Sequence, residues 1–376
     1  MRPELLASLR PNRLVSDLSA AADNLRAIRG TLRAGTKIFA ALKGDAYGFG
    51  LQQVARVLVD AGVDGIAVAD QAEAIALREQ GIGVPILLYA GHLASRETVR
   101  ATIDHDLIPT LVDADEAAAY SRLATSTLDV FVKVDVGLER IGVPAEQAAS
   151  FVAYVRSLPK LRVAGLYTHL QVPANVTDEF LRWQAGRFDA VVAALARTGA
   201  PTPLRMFASS ASLVRMSGIE YDAVDPGGLL FGSSAAAAAR IDFGVRPILD
   251  AITSRILQVK TAISPPYPEQ MPFPWTPGLR FAVLPIGTRD GLPTFNAGRV
   301  LIRGRSAPIL GSISIEHVRV DVSTIPDAAP GDEAVIVGRQ GDAEIPFGEV
   351  MTRCGHRRLA DLAMAVASSV PRVGAR

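Results

Sequence analysis

From residue 37 to about 232 the chain alternates short apolar runs with amphipathic segments. The runs are Lys37–Lys43, Gly65–Ala69, Pro85–Tyr89, Leu107–Val112, Leu128–Asp135, Val163–His169, Pro203–Ser209 and Tyr221–Asp225, eight in all. Each is rich in aliphatic and β-branched residues and ends near a Gly, Asp or Ser, the signature of a strand followed by a turn. Between them the apolar positions recur at helical spacing. Leu51, Val54, Ala55, Leu58 and Val59 share one face, and Gly62 is placed to end that helix. Leu181, Phe188, Val191, Val192 and Leu195 form a second such face, with Asp178 and Glu179 in the first turn, where the helix dipole favours acids. Strands that are apolar on both faces, each followed by a helix, predict a parallel sheet covered by helices. Eight such units close into a (β/α)8 barrel, so the fold class expected is α/β.

Beyond about residue 240 the pattern changes to short strands and turns. Runs at Ala251–Val259, Arg280–Pro285, Arg299–Arg303, Ile309–Val322 and Glu333–Val337 are separated by Asp290-Gly291, Pro330-Gly331-Asp332 and Gly341-Asp342. The expected organisation is a barrel over residues 1–240 and a mostly β domain over 241–376. Ser264–Pro277 holds six prolines and reads as an extended loop. The alanine patch Ala235–Ala239 reads as a helix or linker between the domains, and Leu359–Ser369 as a terminal helix.

Composition narrows the functional classes. A net charge of +1 over 376 residues gives no basic field for nucleic acid. No apolar run of membrane-spanning length occurs, and Met1-Arg-Pro-Glu-Leu-Leu lacks the apolar stretch of a signal peptide. One cysteine, Cys354, allows no internal disulfide and fits a reducing cytoplasm. Nothing in the Cys/His spacing marks a metal site.

Barrels carry their chemistry at the carboxyl ends of the strands. Those ends hold Lys43, then Asp135 with Arg140 just beyond, Thr168-His169, Ser209-Ser210 and Asp225-Pro-Gly227-Gly228. Taken alone, Lys43 also reads as a lysine snorkelling from the core, His169 as a core histidine, Asp225 as a turn residue and Arg140 as a surface partner of Glu139 or Asp135. Taken together they suit one ligand. A desolvated lysine condenses readily with an aldehyde. Pyridoxal 5'-phosphate is such an aldehyde. Backbone N–H groups at Gly227-Gly228 with Ser210 would serve its phosphate, Asp225 its pyridine nitrogen and His169 its ring face.

The segments Ala41-Leu-Lys43-Gly-Asp-Ala-Tyr47-Gly, Lys133-Val-Asp135-Val-Gly-Leu-Glu-Arg140-Ile-Gly142, Gly165-Leu-Tyr-Thr168-His169 and Ala208-Ser-Ser210-Ala carry a resemblance. So do Leu284-Pro-Ile-Gly287, Asp290-Gly291 and Val370-Pro-Arg372 further on. In this order they resemble the alanine racemase family of fold-type III pyridoxal-phosphate enzymes over nearly the whole length. The resemblance implies an amino-acid racemase or epimerase acting on a small amino acid, as a homodimer with shared active sites. It makes Lys43 the Schiff-base lysine and the base for one face of the α-carbon. Tyr47, Ser210, Gly227 and Gly228 would hold the phosphate, with Ser209 where the family has an asparagine. Arg140 would reach the cofactor's phenolic oxygen or the substrate carboxylate, and His169 would lie beside the ring.

The departures fall at chemically important positions. Asp225 stands where the family has an arginine against the pyridine nitrogen. Thr288, in Gly287-Thr288-Arg289-Asp290-Gly291, stands where it has a catalytic tyrosine, and Ile315-Glu316 replaces a Met-Asp pair near the substrate entry. A carboxylate would hold the ring nitrogen protonated and strengthen the ring as an electron sink. A threonine hydroxyl is a poor base at neutral pH, which leaves His317, Glu316 or a water held by Thr288 to take that part. An aldolase, lyase or transaminase on the same scaffold, or a cofactor-binding protein without turnover, are the competing readings.

Overall fold

The computed structural model describes residues 10–173, 175–233 and 239–375. Most of the Ala235–Ala239 patch, residues 235–238, lies outside the described residues, as do residues 1–9. The chain forms two compact units.

The first unit comprises Ser19–Ala46 and Leu51–Arg246. Its sheet is a closed eight-membered parallel ring of Lys37–Ala41, Gly65–Val68, Ile86–Leu88, Ile108–Leu111, Leu128–Asp135, Leu161–Tyr167, Leu204–Ala208 and Ala223–Val224. Ala223 pairs with Lys37 to close the ring, and Thr110 pairs with Phe131 on the far side. All eight expected strands are present, mostly trimmed by one or two residues at the ends. A short strand at Val143–Pro144 adds to the sheet beside Leu128–Asp135.

The barrel interior is filled rather than hollow. Phe39, Leu87, Phe131, Tyr167 and Met206 pack together with Ala67 and Ala223. Two aromatic rings are accommodated by glycines on neighbouring strands. A β-carbon at Gly65 would strike the Phe39 ring, and one at Gly165 would strike the Phe131 ring. The Phe39 and Phe131 rings then meet across the axis with centroids 6.1 Å apart. Large rings on some strands are thus matched by small residues on their neighbours, as close packing inside a small barrel requires.

The second unit comprises Met1–Leu18, Tyr47–Gly50 and Pro247–Arg376. Its sheet contains Leu249–Arg255, Gln258–Thr261, Arg280–Leu284, Arg299–Ile302, Arg305–Leu310, Val318–Asp321 and Glu333–Gln340. The strand Arg13–Ser16 enters this sheet, antiparallel to Leu249–Arg255 and parallel to Arg372–Gly374. The division therefore does not fall at one point in the sequence. The single run read at Ile309–Val322 is two strands, Arg305–Leu310 and Val318–Asp321, separated by an exposed turn. The terminal helix is Leu359–Ala365, shorter than the expected run to Ser369, and beyond it Arg372 donates to the carbonyls of Val366, Ala367 and Val370. Ser264–Pro277 is irregular apart from one 3-10 turn at Pro268–Gln270.

No helix among the described residues is long and apolar enough to cross a membrane.

Candidate functional site

The carboxyl ends of the barrel strands gather the polar groups. Lys43 follows Leu42, whose N–H is bonded to Ala67 O at 2.8 Å, so the strand holds the lysine at the barrel mouth. The chain then turns left-handed. Gly44 (φ 66°), Asp45 (φ 55°) and Ala46 (φ 53°) occupy that region in succession. L-residues there cost roughly 1–2 kcal/mol each, so the turn persists only because it is pinned. The Ala46 N–H reaches Leu42 O at 2.9 Å, and the Asp45 carboxylate accepts from Leu51 N–H at 2.7 Å. Glu73 accepts from the Asp45 N–H.

Asp225 follows the last barrel strand and is buried, its N–H bonded to Ala208 O at 3.0 Å. The Tyr89 hydroxyl donates to Asp225 Oδ2 at 2.7 Å. Asp225 Oδ1 is buried with no hydrogen-bond partner. Burial pushes the Asp225 carboxyl up to about 7, against the opposing pull of Tyr89, Lys43 and Lys133.

Lys43 Nζ lies 5.9 Å from the centre of the Tyr89 ring. Lys133 Nζ lies 5.8 Å from that of Tyr167, and the two tyrosine rings are 5.7 Å apart. Burial, reinforced by Arg140, lowers the Lys133 amine to about 8. Burial, with Lys43, Arg140 and Lys133 nearby, lowers His169 to about 4. At neutral pH His169 is therefore an uncharged ring among cations.

Asp135 does not compete for Arg140 through its side chain. Its carboxylate instead accepts the backbone N–H groups of Gly137, Leu138, Glu139 and Arg140, at 2.9, 2.9, 3.3 and 2.9 Å, and so shapes the loop that carries Arg140. Burial raises the Asp135 carboxyl, but these donors together leave it below its ordinary value.

Ser210 Oγ accepts the N–H groups of Gly227 at 2.9 Å and Leu229 at 3.1 Å. This ties the Ser210–Leu213 and Gly228–Phe231 turns together into one glycine–serine cradle. A β-carbon at Gly228 would sit 3.2 Å from Ser233 O, tighter than ordinary packing allows. The hydroxyls of Thr168 and Ser209 are buried without partners.

The barrel unit thus brings together Lys43, Arg140, His169, Ser209, Ser210, Asp225, Gly227 and Gly228. The other candidates belong to the second unit. Tyr47 lies within electrostatic reach of Arg358. Thr288 is exposed at the start of a 3-10 turn, with its N–H bonded to Ser314 O at 2.9 Å. Arg289 N–H bonds to Ile315 O at 3.0 Å, so the turn holding Thr288 is tied to the segment holding Ile315 and Glu316. Glu316 pairs with Arg289 at 2.7 Å.

Sequence reasoning passed over Tyr89, Lys133 and Tyr167. Tyr89 ends its own apolar run, the criterion that selected Lys43. Lys133 is a charge inside an apolar strand, two residues from Phe131 and so on the same face.

A lysine, an orphaned buried carboxylate oxygen and a glycine–serine cradle at one barrel mouth are the fittings of a pyridoxal-phosphate barrel enzyme. The orphaned Asp225 oxygen and the cradle at Ser210 are chemically suited to that cofactor's ring nitrogen and phosphate. The comparisons agree. Residues 16–235 match the alanine racemase N-terminal domain and residues 273–373 the alanine racemase C-terminal domain. The alanine racemase of Halothermothrix orenii is 33% identical over 351 residues, 91% of each chain. That of Synechocystis sp. is 34% identical over 88% of this chain and 90% of its own. The crystal structure of alanine racemase from E. faecalis superposes with a TM-score of 0.84 at 26% identity, covering 97% of this chain and 98% of that one. The chain belongs to the alanine racemase family, whose enzymes depend on pyridoxal 5'-phosphate.

Proposed function

We propose that this protein inverts the α-carbon of a small amino acid, as an alanine-racemase-type isomerase. The observation that carries this reading is the convergence of Lys43 with Asp225, whose Oδ1 has no partner, at the mouth of the barrel. When bound, the cofactor supplies an aldehyde for an amine and a ring that draws electrons from the substrate α-carbon.

Lys43 is the residue proposed to be joined to the cofactor and to move the proton on one face of the α-carbon. Ser210, Gly227 and Gly228 would hold the phosphate, assisted by Tyr47, and Ser209 would border them. Asp225 would face the ring nitrogen. His169, uncharged at neutral pH, would back the ring without adding a cation. Arg140 would bind the phenolic oxygen or the substrate carboxylate. Thr288 would stand where the family has its second base, with His317, Glu316 or a water held by Thr288 to take that part, and Ile315 and Glu316 would border the substrate. The proposed assembly is a homodimer with shared active sites, in the cytoplasm.

Borohydride reduction followed by peptide mapping tests the reading. The label is expected at Lys43 and is lost in Lys43→Ala. Incubation with L-alanine in deuterium oxide is expected to give the D-enantiomer carrying deuterium at the α-carbon. Release of an aldehyde or ammonia, without inversion, would overturn the proposed reaction. An active monomer at assay concentration would overturn the proposed assembly.

A further inference from the structure

We propose that Tyr89 is a positioning residue for Asp225: its hydroxyl holds one carboxylate oxygen and leaves the other to serve the cofactor's ring nitrogen as an anion. This rests on the reading above that Asp225 is the partner of that nitrogen.

Both ends of the Tyr89–Asp225 hydrogen bond are fixed by barrel strands rather than by loops. The Tyr89 N–H is bonded to Val68 O at 2.9 Å, directly after the strand Ile86–Leu88. The Asp225 N–H is bonded to Ala208 O at 3.0 Å. The Tyr89 ring rests at 44° on Tyr167, whose hydroxyl in turn accepts from Thr110 Oγ1 at 3.2 Å and Ala90 N–H at 3.4 Å. The 2.7 Å bond to Asp225 Oδ2 therefore joins two anchored groups.

The asymmetry of the carboxylate is the second observation. Oδ2 has a donor, whereas Oδ1 is buried and has none. A buried polar atom without a partner is costly in an empty fold, and such atoms are kept where a ligand completes them. Lys43, Lys133 and Tyr167 are the other titratable groups that act on Asp225, the two amines favouring its anion and the phenol opposing it if ionised.

The chemistry gives Tyr89 a definite effect. A donor on a carboxylate lowers that carboxylate's affinity for a further proton. A proton placed between Asp225 and a ring nitrogen is then retained by the nitrogen, which sustains the ring as an electron acceptor. Without the phenol the carboxyl becomes the better base and takes the proton. An apolar side chain at position 89 would pack against the same neighbours and leave this effect out.

The test uses holoprotein reconstituted with pyridoxal phosphate carrying ¹⁵N in the ring. The ¹⁵N chemical shift is followed against pH in the wild type, Tyr89→Phe and Asp225→Asn. The wild-type nitrogen is expected to be protonated and the Asp225→Asn nitrogen neutral. In Tyr89→Phe the ring nitrogen should carry less of the shared proton, its ¹⁵N shift below the titration midpoint moving from the wild-type value towards that of Asp225→Asn. Tyr89→Phe titrating exactly as wild type, with Asp225→Asn shifted, overturns the role of Tyr89 alone. An unshifted Asp225→Asn overturns the role of Asp225, and a wild type that takes no borohydride label at Lys43 overturns the cofactor reading itself. If Tyr89→Phe does not fold, 3-fluorotyrosine in the wild type replaces it. Its more acidic phenol should move the same ¹⁵N shift further towards the protonated value, and an unmoved shift counts against the proposal.

Discussion

The ring of Phe39 lies on the backbone of Gly65 in the neighbouring strand, where a β-carbon would fall 2.5 Å from Cε1. Both residues are in the barrel interior, so neither can move aside without disturbing the layer below the candidate site. Gly65→Ala is expected to destabilise the protein by about 1–3 kcal/mol, the usual cost of overpacking a filled core. Urea unfolding checks this. A Gly65→Ala, Phe39→Leu double variant should recover part of the loss, because the shorter side chain vacates the contested space.

Asp290 is fully buried in the second unit and pairs with Arg10 at 2.7 Å while also accepting the Gly287 N–H at 3.0 Å. Removing the guanidinium leaves a buried carboxylate with only its backbone donor. Arg10→Ala should therefore cost about 2–4 kcal/mol, slightly less than a fully buried pair because Arg10 itself is partly exposed. Arg10→Ala, Asp290→Asn should be less damaging than Arg10→Ala, since the amide carries no charge. Denaturant midpoints of the set decide it.

Arg372 binds the carbonyls of Gly48, Val366, Ala367 and Val370, at 3.0, 2.7, 2.6 and 2.6 Å. A lysine has no planar fork to span these acceptors. Arg372→Lys is expected to lower stability by about 1–3 kcal/mol, from loss of charge-assisted hydrogen bonds. Hydrogen exchange should rise first at the end of the Leu359–Ala365 helix.

Asp225 and His169 give stability of the cofactor-free protein opposite slopes with pH. The folded-state value of Asp225 is raised, to about 7 from 3.8, so the native protein binds the extra proton between these values. Its contribution to stability then falls as pH rises through that window. Asp225→Asn should become progressively more stable than wild type from about pH 4 to pH 7 and level off above. His169 is lowered, to about 4 from 6.5, so the unfolded chain binds the extra proton, and stability falls as pH drops from 6.5 towards 4. His169→Phe should remove that acid-side loss. Thermal melts of both variants across pH, without cofactor, test the two signs.

The barrel was legible because each strand is a short apolar run closed by a turn residue. Leu128–Asp135 is read with both ends correct. Arg13–Ser16 was not legible, since four residues carry little pattern and their partners at Leu249–Arg255 and Arg372–Gly374 are remote in sequence. At the site, strand-end position alone located Lys43, His169 and Asp225. The Tyr89 hydroxyl became relevant only through its bond to Asp225, 136 residues away. Lys133 was passed over because strand parity, which places it inward with Phe131, was not applied. The separation of Tyr47, Thr288, Ile315 and Glu316 into a different unit has no marker in their local sequence.

The Arg13–Ser16 strand is made well before either of the strands it pairs with, Leu249–Arg255 and Arg372–Gly374. Of the two, Arg372–Gly374 is the later to be made. At about 5–20 residues per second the edge that Arg372–Gly374 covers stays open for roughly 20–70 s after the strand is made. During that interval it is a docking edge for chaperones or for another nascent chain. The sheet of the second unit is thus completed only once Arg372–Gly374 has been made, and a product cut short before it exposes an edge the finished fold conceals.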